Sequence, residues 1–286
     1  MRTSARVAGI VVGILALGVV CIWYVVLSQE NGTLLTVSFL DVGQGDAVFM
    51  VSPSGRTVLI DGGPDVSVVR ELGARMSWRS RSIDVMIATH PDMDHIGGLI
   101  DVLPRYRIGM IMQSSVQGST AAWNTFEKEA DEEGALRVTA QRGQIIDLGK
   151  GAYLEILSPD RRVSSVDTNV GCVIARLVYG TTSFMFSCDA PRAVENYIAS
   201  LDGATLKSNV LKAGHHGSRT SSSPLFVGYV DPQYVVYSRA CKNTYGFPHA
   251  ETVAIFHRFG VQALDTCDQG TITFQSDGKR VQVLQR

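Results

Sequence analysis

A short stretch, THPDMDHIGG at residues 89–98, limits what this chain can fold into more than any other feature. It follows the apolar run IDVMIA, which is typical of a buried strand. Imidazole and carboxylate groups together are the ligands of a borderline or hard divalent ion such as zinc or manganese. Capping of the next helix by Asp92 or Asp94 is the alternative, but a cap needs only one aspartate. The stretch therefore predicts a metal site formed by His90, Asp92, Asp94 and His95.

Aspartates and histidines also follow other strand-like runs. Asp61 ends VLID, Asp189 ends FMFSCD, and His215 and His216 follow LKAG. Core packing does not explain polar residues at so many strand ends. Because the carboxyl ends of strands in α/β sheets tend to carry chemistry, we expect these side chains at one edge of the sheet, with His249 as a further candidate.

Strand-like runs alternate with helical patterns over most of the chain, which favours a layered α/β domain. No internal repeat and no second linker is found, so residues 35–286 are predicted to form one domain. The pattern predicts strands at 83–89, 108–113 and 153–157, a helix around 120–134, and a hairpin turning at Gly180-Thr181.

Residues 7–27 contain no charge and no strongly polar residue, and such a stretch can cross a bilayer core of roughly 30 Å as a helix. Arg2 and Arg6 precede it, so the positive-inside tendency places residues 1–6 in the cytosol and the rest outside the membrane. A cleaved signal peptide is the alternative, but its apolar region is usually about 7–15 residues long. We therefore expect an uncleaved single-pass anchor in the cell membrane, followed by a linker at 28–34.

The outer part is slightly acidic. Without Arg2 and Arg6, 24 basic residues stand against 27 acidic ones. A protein that holds nucleic acid by bulk electrostatics is normally basic. Composition thus argues against a tight DNA binder, unless bound divalent cations or a local patch reverse the field.

Taken together, the motifs resemble the metallo-β-lactamase fold, and specifically the extracellular hydrolase domain of the ComEC/Rec2 family of DNA-uptake proteins. The matching stretches run in family order from about residue 36 to the end: FLDVGQGDAV, LIDGG, THPDMDHIGG, CDAPRAVENYI, LKAGHHGSRTSSS, NTYGFPH and TCDQGTITFQSDG. The resemblance implies a four-layer αββα sandwich with two divalent metal ions at one edge. It also implies a stand-alone hydrolase domain, tethered by one helix, that cleaves DNA during uptake beside a channel protein.

The resemblance assigns roles to individual residues. Asp94, His95 and the bridging Asp189 become metal ligands, His90 and Asp92 serve the other ion, and His215 or His249 completes the shell. Metal-activated water would attack phosphorus, with Asp94, His216 and His249 as catalytic residues. Substrate contacts fall to Lys212, Ser218, Gln44 and Asn243, although a structural role for Lys212 is an equal alternative. Ligand orientation falls to Asp41, Asp46 and Asp61.

The chain departs from the family pattern near the first metal. Classical members carry a histidine where Asp92 stands and another before the bridging aspartate, but no histidine lies between Ile96 and Cys188. We expect that position to be oxygen-rich, weak or empty, completed if at all by Asp160, Asp167 or Asn169, which shifts the expected metal from zinc toward manganese or magnesium. Two alternatives stay open: a hydrolase of another ester or amide, and a non-catalytic DNA-binding or assembly module with a degraded site.

Five cysteines remain to be placed, and Cys21 lies in the predicted anchor. An outer location permits disulfides. The predicted hairpin brings Cys172 and Cys188 almost opposite each other, and the resemblance implies Cys241 and Cys267 as the second pair. The alternatives are small buried apolar side chains, or Cys188 as a thiolate ligand.

Overall fold

The computed structural model describes residues 2–30, 34–77, 80–160 and 167–284, with only the backbone at 2–8 and 25–30. It divides into two compact units, Met1–Thr33 and Leu34–Arg286. The N-terminal unit contains helix α1, Arg2–Glu30. Within the described part of the chain, no helix has both the length and the apolar character needed to cross a membrane. The anchor predicted at 7–27, whose ends lie outside the described side chains, is not supported by this structure and stays a prediction.

The second unit is built from two β-sheets and their covering helices. Its strands are β1 Leu35–Phe39, β2 Val48–Val51, β3 Thr57–Ile60, β4 Ser82–Ala88, β5 Arg107–Gln113, β6 Leu136–Thr139, β7 Ile145–Asp147, β8 Ala152–Ser158, β9 Ile174–Tyr179, β10 Thr182–Phe186, β11 Val210–Lys212, β12 Tyr234–Tyr237, β13 Gln262–Asp265, β14 Ile272–Ser276 and β15 Val281–Leu284. Its helices are α2 Ser67–Arg75, α3 Met93–Val102, α4 Ala121–Glu133, α5 Arg192–Asp202, α6 Pro224–Val230, α7 Ala250–Arg258 and α8 Thr266–Gln269, with 3₁₀ turns at Gly203–Leu206 and Gly214–Gly217.

The sheets pack face to face. One has the strand order β15-β14-β1-β2-β3-β4-β5-β6, and the other has the order β13-β12-β11-β10-β9-β8-β7. A central core lies between them, α2, α3 and α4 cover the first sheet, and α5, α6 and α7 cover the second. The predicted four-layer αββα sandwich is confirmed.

Strand β4 shows why the sequence forms these layers. Val85 and Ile87 enter the core between the sheets, whereas Met86 and Ala88 enter the core under the helices. Successive side chains of a strand point to opposite faces, so a strand buried on both faces is a nearly continuous apolar run. The run before THPDMDHIGG therefore carries that motif to the end of an interior strand.

The strand directions then place the polar strand ends together. β3, β4 and β5 are parallel to one another in the first sheet, and β10, β11 and β12 are parallel in the second. The carboxyl ends of β3, β4, β10 and β11 are followed by Asp61, His90, Asp189 and the His215-His216 pair. The predicted clustering of these residues follows from this arrangement.

Candidate metal centre

The largest group of possible ligands among the described residues consists of Asp94, His95, Asp189 and His216, whose ligand atoms all lie within 4.8 Å of one another. Asp189 Oδ2 lies 3.4 Å from His95 Nε2 and 3.5 Å from His216 Nε2. Asp94 Oδ2 lies 3.2 Å from His216 Nε2, and its side chain is 36% exposed while the other three are buried. The group is a pocket of two imidazoles and two carboxylates that opens on the Asp94 side.

Asp61 fixes the orientation of His95. His95 Nδ1 donates to Asp61 Oδ2 at 2.8 Å. Thr89 holds Asp61 in turn, since its N–H donates to Oδ1 at 2.8 Å and its hydroxyl to Oδ2 at 2.7 Å. Because Asp61 holds Nδ1, Nε2 is the ring nitrogen that faces Asp189 and is directed toward a bound ion. Asp61 thus links His95 to Thr89, and its predicted role in orienting a metal ligand stays a prediction.

His216 is oriented by a backbone carbonyl. Its Nδ1 donates to the carbonyl oxygen of Ser238 at 3.0 Å, and Asp46 Oδ1 lies 3.2 Å from the same nitrogen. Nε2 therefore faces the group, 3.2 Å from Asp94 Oδ2 and 3.5 Å from Asp189 Oδ2. Asp46 thus lies against the group.

His90 packs beside His95, with ring centroids 4.0 Å apart. Its Nδ1 faces Thr89 Oγ1 at 3.1 Å and Cys188 Sγ at 3.3 Å, whereas its buried Nε2 has no hydrogen-bond partner in the part of the chain that the structure describes. Cys188 lies within ligand distance of both histidines, but on the Nδ1 side of His90. This geometry favours Cys188 as a group that orients His90 over the alternative of a thiolate ligand.

Four residues of the centre adopt a left-handed backbone conformation that residues with a side chain usually avoid. Their φ angles are 57° at Asp61, 51° at Cys188, 48° at His215 and 55° at His216. Each such conformation costs roughly 1–2 kcal/mol. Strain of this kind concentrates at functional sites, where the surrounding packing maintains it. The surrounding packing therefore holds these strand ends in place despite the conformational free energy that the left-handed backbone costs.

The side chains present fit a divalent cation. Buried atoms without a hydrogen-bond partner among the described residues include Nε2 of His90 and of His95 and Oδ1 of Asp189. Burial lowers the pKa of His95, but Asp189 and Asp61 outweigh it and hold that pKa well above its usual value. Burial raises the pKa of Asp94, yet the hydrogen bond from His216 and the neighbouring positive charges bring it down to about 2. The centre therefore stabilises positive charge while its carboxylates stay ionised.

Lys212 is buried and forms an ion pair with Asp46. Its Nζ also lies 3.7 Å from Asp189 Oδ1. Burial lowers the pKa of Lys212, but Asp46 and Asp189 raise it above its usual value, so the ammonium stays charged. The structure therefore supports the structural alternative for Lys212 over contact with substrate.

Asp92 lies at the N-cap position of α3 but makes no capping hydrogen bond with its side chain. Its carboxylate is 42% exposed and lies 3.6 Å from His90 Nε2. It belongs to none of the ligand groups found among the described residues. Asp160, one of the residues proposed to complete this position, instead accepts the hydroxyl hydrogen of Tyr197. The metal position beside His90 and Asp92 therefore has fewer candidate ligands than the one formed by Asp94, His95, Asp189 and His216.

The structure corrects which histidine completes the ligand group. His216, expected to act in catalysis, lies inside the group, whereas His215 lies at its mouth with Nε2 3.5 Å from Asp189 Oδ2. His249 lies farther out, where its Nδ1 accepts the N–H of Arg219 at 3.0 Å. The reason is the tight turn of Gly214–Gly217, which directs the two adjacent imidazoles at 81° to each other.

The remaining predicted residues stabilise loops around the centre. Gln44 Oε1 accepts the N–H of Ala240 at 3.3 Å, and Asn243 accepts the N–H of Phe247 at 2.9 Å. Ser218 and Asp41 hydrogen-bond within their own turns, to Thr220 and Gly43. Contact of Gln44, Asn243 or Ser218 with substrate stays a prediction.

One of the two predicted disulfides is present. Cys241 and Cys267 are bonded, whereas Cys172 and Cys188 are buried free thiols, so the prediction of a bond between them is wrong. The hairpin turns at Gly180-Thr181 as predicted, but its register pairs Phe186 with Ala175. Continued by two residues, this register places Cys188 opposite residue 173, and its thiol turns toward His90.

Two groups that orient the ligands were missed by sequence reasoning. Thr89 precedes His90 directly, and a hydroxyl beside a ligand at a strand end is a usable signal. The Ser238 carbonyl belongs to the backbone, so no residue type marks it. The Ser238 carbonyl accepts a hydrogen bond from His216 Nδ1, the ring nitrogen opposite the candidate ligand atom. Thr89 donates to Asp61, which accepts from His95 in the same way.

Residues 40–238 match the sequence profile of the Metallo-beta-lactamase superfamily. The chain belongs to this superfamily. ComE operon protein 3 of Bacillus subtilis (strain 168) is 27% identical over 269 residues, which cover 88% of this chain and 34% of that protein. Competence protein ComA of Neisseria gonorrhoeae is 30% identical over 249 residues, which cover 86% of this chain and 32% of that protein. The predicted resemblance to the ComEC/Rec2 proteins is confirmed.

The chain spans about a third of the length of these relatives. Among solved structures, the metallo-beta-lactamase fold protein YhfI from Bacillus subtilis superposes with a TM-score of 0.56 at 11% identity. The superposition covers 85% of this chain and 100% of that one. At such low identity the match establishes the fold of the superfamily alone.

Proposed function

We propose that this chain is a metal-dependent hydrolase that cleaves phosphodiester bonds in DNA. The observation that carries this proposal is the convergence of Asp94, His95, Asp189 and His216 on one pocket with oriented imidazoles and ionised carboxylates. Membership of the superfamily supports a hydrolase. Similarity to a competence protein over most of the chain supports DNA as the substrate.

These four residues would hold one ion, and His90 with Asp92 would border a second. Bound divalent ions lower the pKa of water and stabilise the charge that develops at phosphorus. Asp61 and the Ser238 carbonyl keep the ligand nitrogens aimed inward. Asp94 is the most exposed member of the group and lies where substrate would enter.

Electrostatics make binding of DNA depend on the metal. The described residues bring Asp46, Asp61, Asp94 and Asp189 around His95 and His216, with Lys212 as the buried counter-charge. With the imidazoles neutral, as metal ligands must be, the four carboxylates outnumber Lys212 and repel a phosphate at short range. Divalent ions reverse that field, which reconciles a slightly acidic protein with an anionic substrate.

The test follows cleavage of a labelled single strand by the complete chain, first stripped with a chelator and then supplied with manganese. We expect metal-dependent cleavage that Asp94→Asn reduces by at least about a hundredfold, as for loss of a major electrostatic contribution to the transition state. Asp101→Asn is the matched control, because Asp101 lies on the same helix and pairs with Arg105 at 3.2 Å. Cleavage that survives chelation, or is equal in both variants, would refute the proposal.

A non-catalytic DNA-binding module is the second candidate, favoured by the exposed Asp92 and its incompletely built metal position. Metal-dependent binding of DNA without cleavage would select it. A panel of other ester and amide substrates, supplied with the same metal, separates the nuclease from another hydrolase of this superfamily. Cleavage of a panel compound in preference to DNA would select that alternative.

We also propose that the hydrolase unit lies outside the cytosol, held at the cell membrane by residues 7–27 beside a DNA-uptake channel protein. The uncharged sequence of 7–27 supports the attachment, and the Cys241–Cys267 disulfide supports an oxidising compartment. Reporter fusions after residue 27 and at the C-terminus test the topology. Cytosolic reporter activity at both positions would exclude it.

A further inference from the structure

An exposed aromatic stack lies beside the metal centre. Tyr245 is 62% exposed, and its ring stacks on Phe247 with centroids 5.2 Å apart and planes within 12°. Phe247 is buried, and its ring centroid lies 5.7 Å from that of His215 and 6.1 Å from that of His216. A single aromatic ring thus connects the exposed Tyr245 to a histidine of the ligand group.

The loop that carries Tyr245, residues 241–249, is held rigidly. Its first residue forms the disulfide. The side chain of Asn243 bridges the middle of the loop, because it accepts the N–H of Phe247 at 2.9 Å and donates to the carbonyl oxygen of Phe247 at 3.0 Å. At the far end, the N–H of His249 donates to the Gly217 carbonyl at 3.0 Å, which ties the loop to the turn that bears His216. The position of the Tyr245 ring relative to the centre is therefore fixed in advance.

Two exposed cations accompany the stack. Lys242 belongs to the same loop, and the backbone of Arg219 is hydrogen-bonded to the His249 ring. The His249 ring packs edge-on against Phe247, with centroids 5.2 Å apart. Two exposed cationic residues are therefore carried by this loop and by the segment hydrogen-bonded to it.

We propose that Tyr245 is a stacking platform for an unpaired nucleobase adjacent to the scissile phosphate, which makes single-stranded DNA the substrate. This inference rests on the proposed nuclease function and deepens it. Proteins that bind single strands combine exposed aromatic rings with a cationic track for the backbone. A base inside a duplex is already stacked on its neighbours and reaches such a ring only by flipping out.

The experiment compares the complete chain with Tyr245→Ala and Tyr245→Phe on three substrates: a single strand, the same strand with abasic residues around the cleavage position, and a duplex. We expect Tyr245→Ala to raise KM for the base-bearing strand about ten- to a hundredfold, with kcat little changed. KM for the abasic strand stays as in the parent, and Tyr245→Phe resembles the parent on every substrate. Tyr229→Ala serves as control, because Tyr229 is exposed near the end of α6.

Three results would overturn the platform. They are an unchanged KM in Tyr245→Ala, an equal rise of KM on the abasic strand, and a parent chain that prefers the duplex. If no strand is cleaved, the proposed nuclease function fails, and the platform is then judged from the dissociation constants of the same strands by fluorescence anisotropy. Weaker binding of the base-bearing strand alone in Tyr245→Ala supports stacking, and equal binding refutes it.

Discussion

At the scale of single residues, each imidazole of the centre depends on a second group that holds its Nδ1. Asp61 holds His95, the Ser238 carbonyl holds His216, and Thr89 with Cys188 faces His90. Such partners fix both the tautomer and the direction of the ligand nitrogen. The centre is therefore as sensitive to these groups as to the ligands themselves.

Replacing Asp61 tests this dependence. Asp61→Asn removes the charge that His95 and Thr89 share, and we expect the affinity for manganese or zinc to fall about 10- to 100-fold. Competition with a chromophoric chelator measures the affinity. Asp84→Asn, on the exposed part of β4, is the control and should bind like the parent. Equal affinities in the two variants would contradict the orienting role.

Glu195 on α5 provides a pH-dependent prediction away from the ligands. Its two carboxylate oxygens accept the N–H groups of Ser222 and Ser223 at 2.8 and 2.7 Å. Burial raises the pKa of Glu195 to about 7, against the opposing effect of these amides. The folded protein therefore holds this proton more tightly than the unfolded chain does, and stability falls as the pH rises from the usual glutamate range to about 7.

We expect this group to lower the free energy of unfolding by about 3 kcal/mol over that interval. Urea unfolding of the parent and of Glu195→Gln at pH 5 and pH 8 measures it, because other titrating groups contribute equally to both proteins. The parent should lose more stability than the variant between the two pH values. An identical loss in the two proteins would show that Glu195 does not titrate in this range.

At the scale of elements, the position of α3 depends on close contact with the loop after β3. A Cβ on Gly98 would lie 2.1 Å from the carbonyl oxygen of Gly62 and 2.5 Å from that of Asp65. The N–H of Gly62 donates to the His95 carbonyl at 2.7 Å across the same contact. The glycines of HIGG and LIDGG therefore let the segments bearing His95 and Asp61 approach each other.

Gly98→Ala should force these segments apart. Overpacking of this kind costs about 1–3 kcal/mol, and we expect weaker metal binding as well, because the contact between His95 and Asp61 lengthens. Gly73→Ala is the matched control, since a Cβ at Gly73 on α2 meets nothing within 4 Å. That variant should be unchanged or up to about 1 kcal/mol more stable in urea unfolding. A Gly98→Ala protein as stable as the parent would contradict the close contact.

The elements that could be predicted from the sequence are those with a long, periodic pattern. β4, β5, β8, the hairpin of β9 and β10, and α4 agree with the predicted ranges. β7 and α6 were not predicted, because three and seven residues are too short to display a period. The disulfide between Cys172 and Cys188 was predicted wrongly: both thiols lie in one buried cluster, but that of Cys188 faces Thr89 and His90.

At the scale of the whole molecule, the sequence predicts which strand ends meet but not which side chain of each turn faces inward. His215 and His216 are adjacent and chemically identical, and only the left-handed turn that contains both decides between them. The ion pair of Lys212 with Asp46 joins β11 to the loop after β1, a contact that no local pattern contains. Both the choice between the two histidines and the ion pair are determined by the tertiary structure.

Metal stoichiometry tests whether the converging strand ends form a metal centre. The complete chain, Asp94→Asn and Asp101→Asn are stripped with a chelator, equilibrated with manganese or zinc, freed of unbound ion and analysed by mass spectrometry for metal per chain. We expect at least one bound ion in the parent and in Asp101→Asn, and a loss of metal in Asp94→Asn. A parent that retains no ion, or an Asp94→Asn protein that retains as much as the parent, would contradict it.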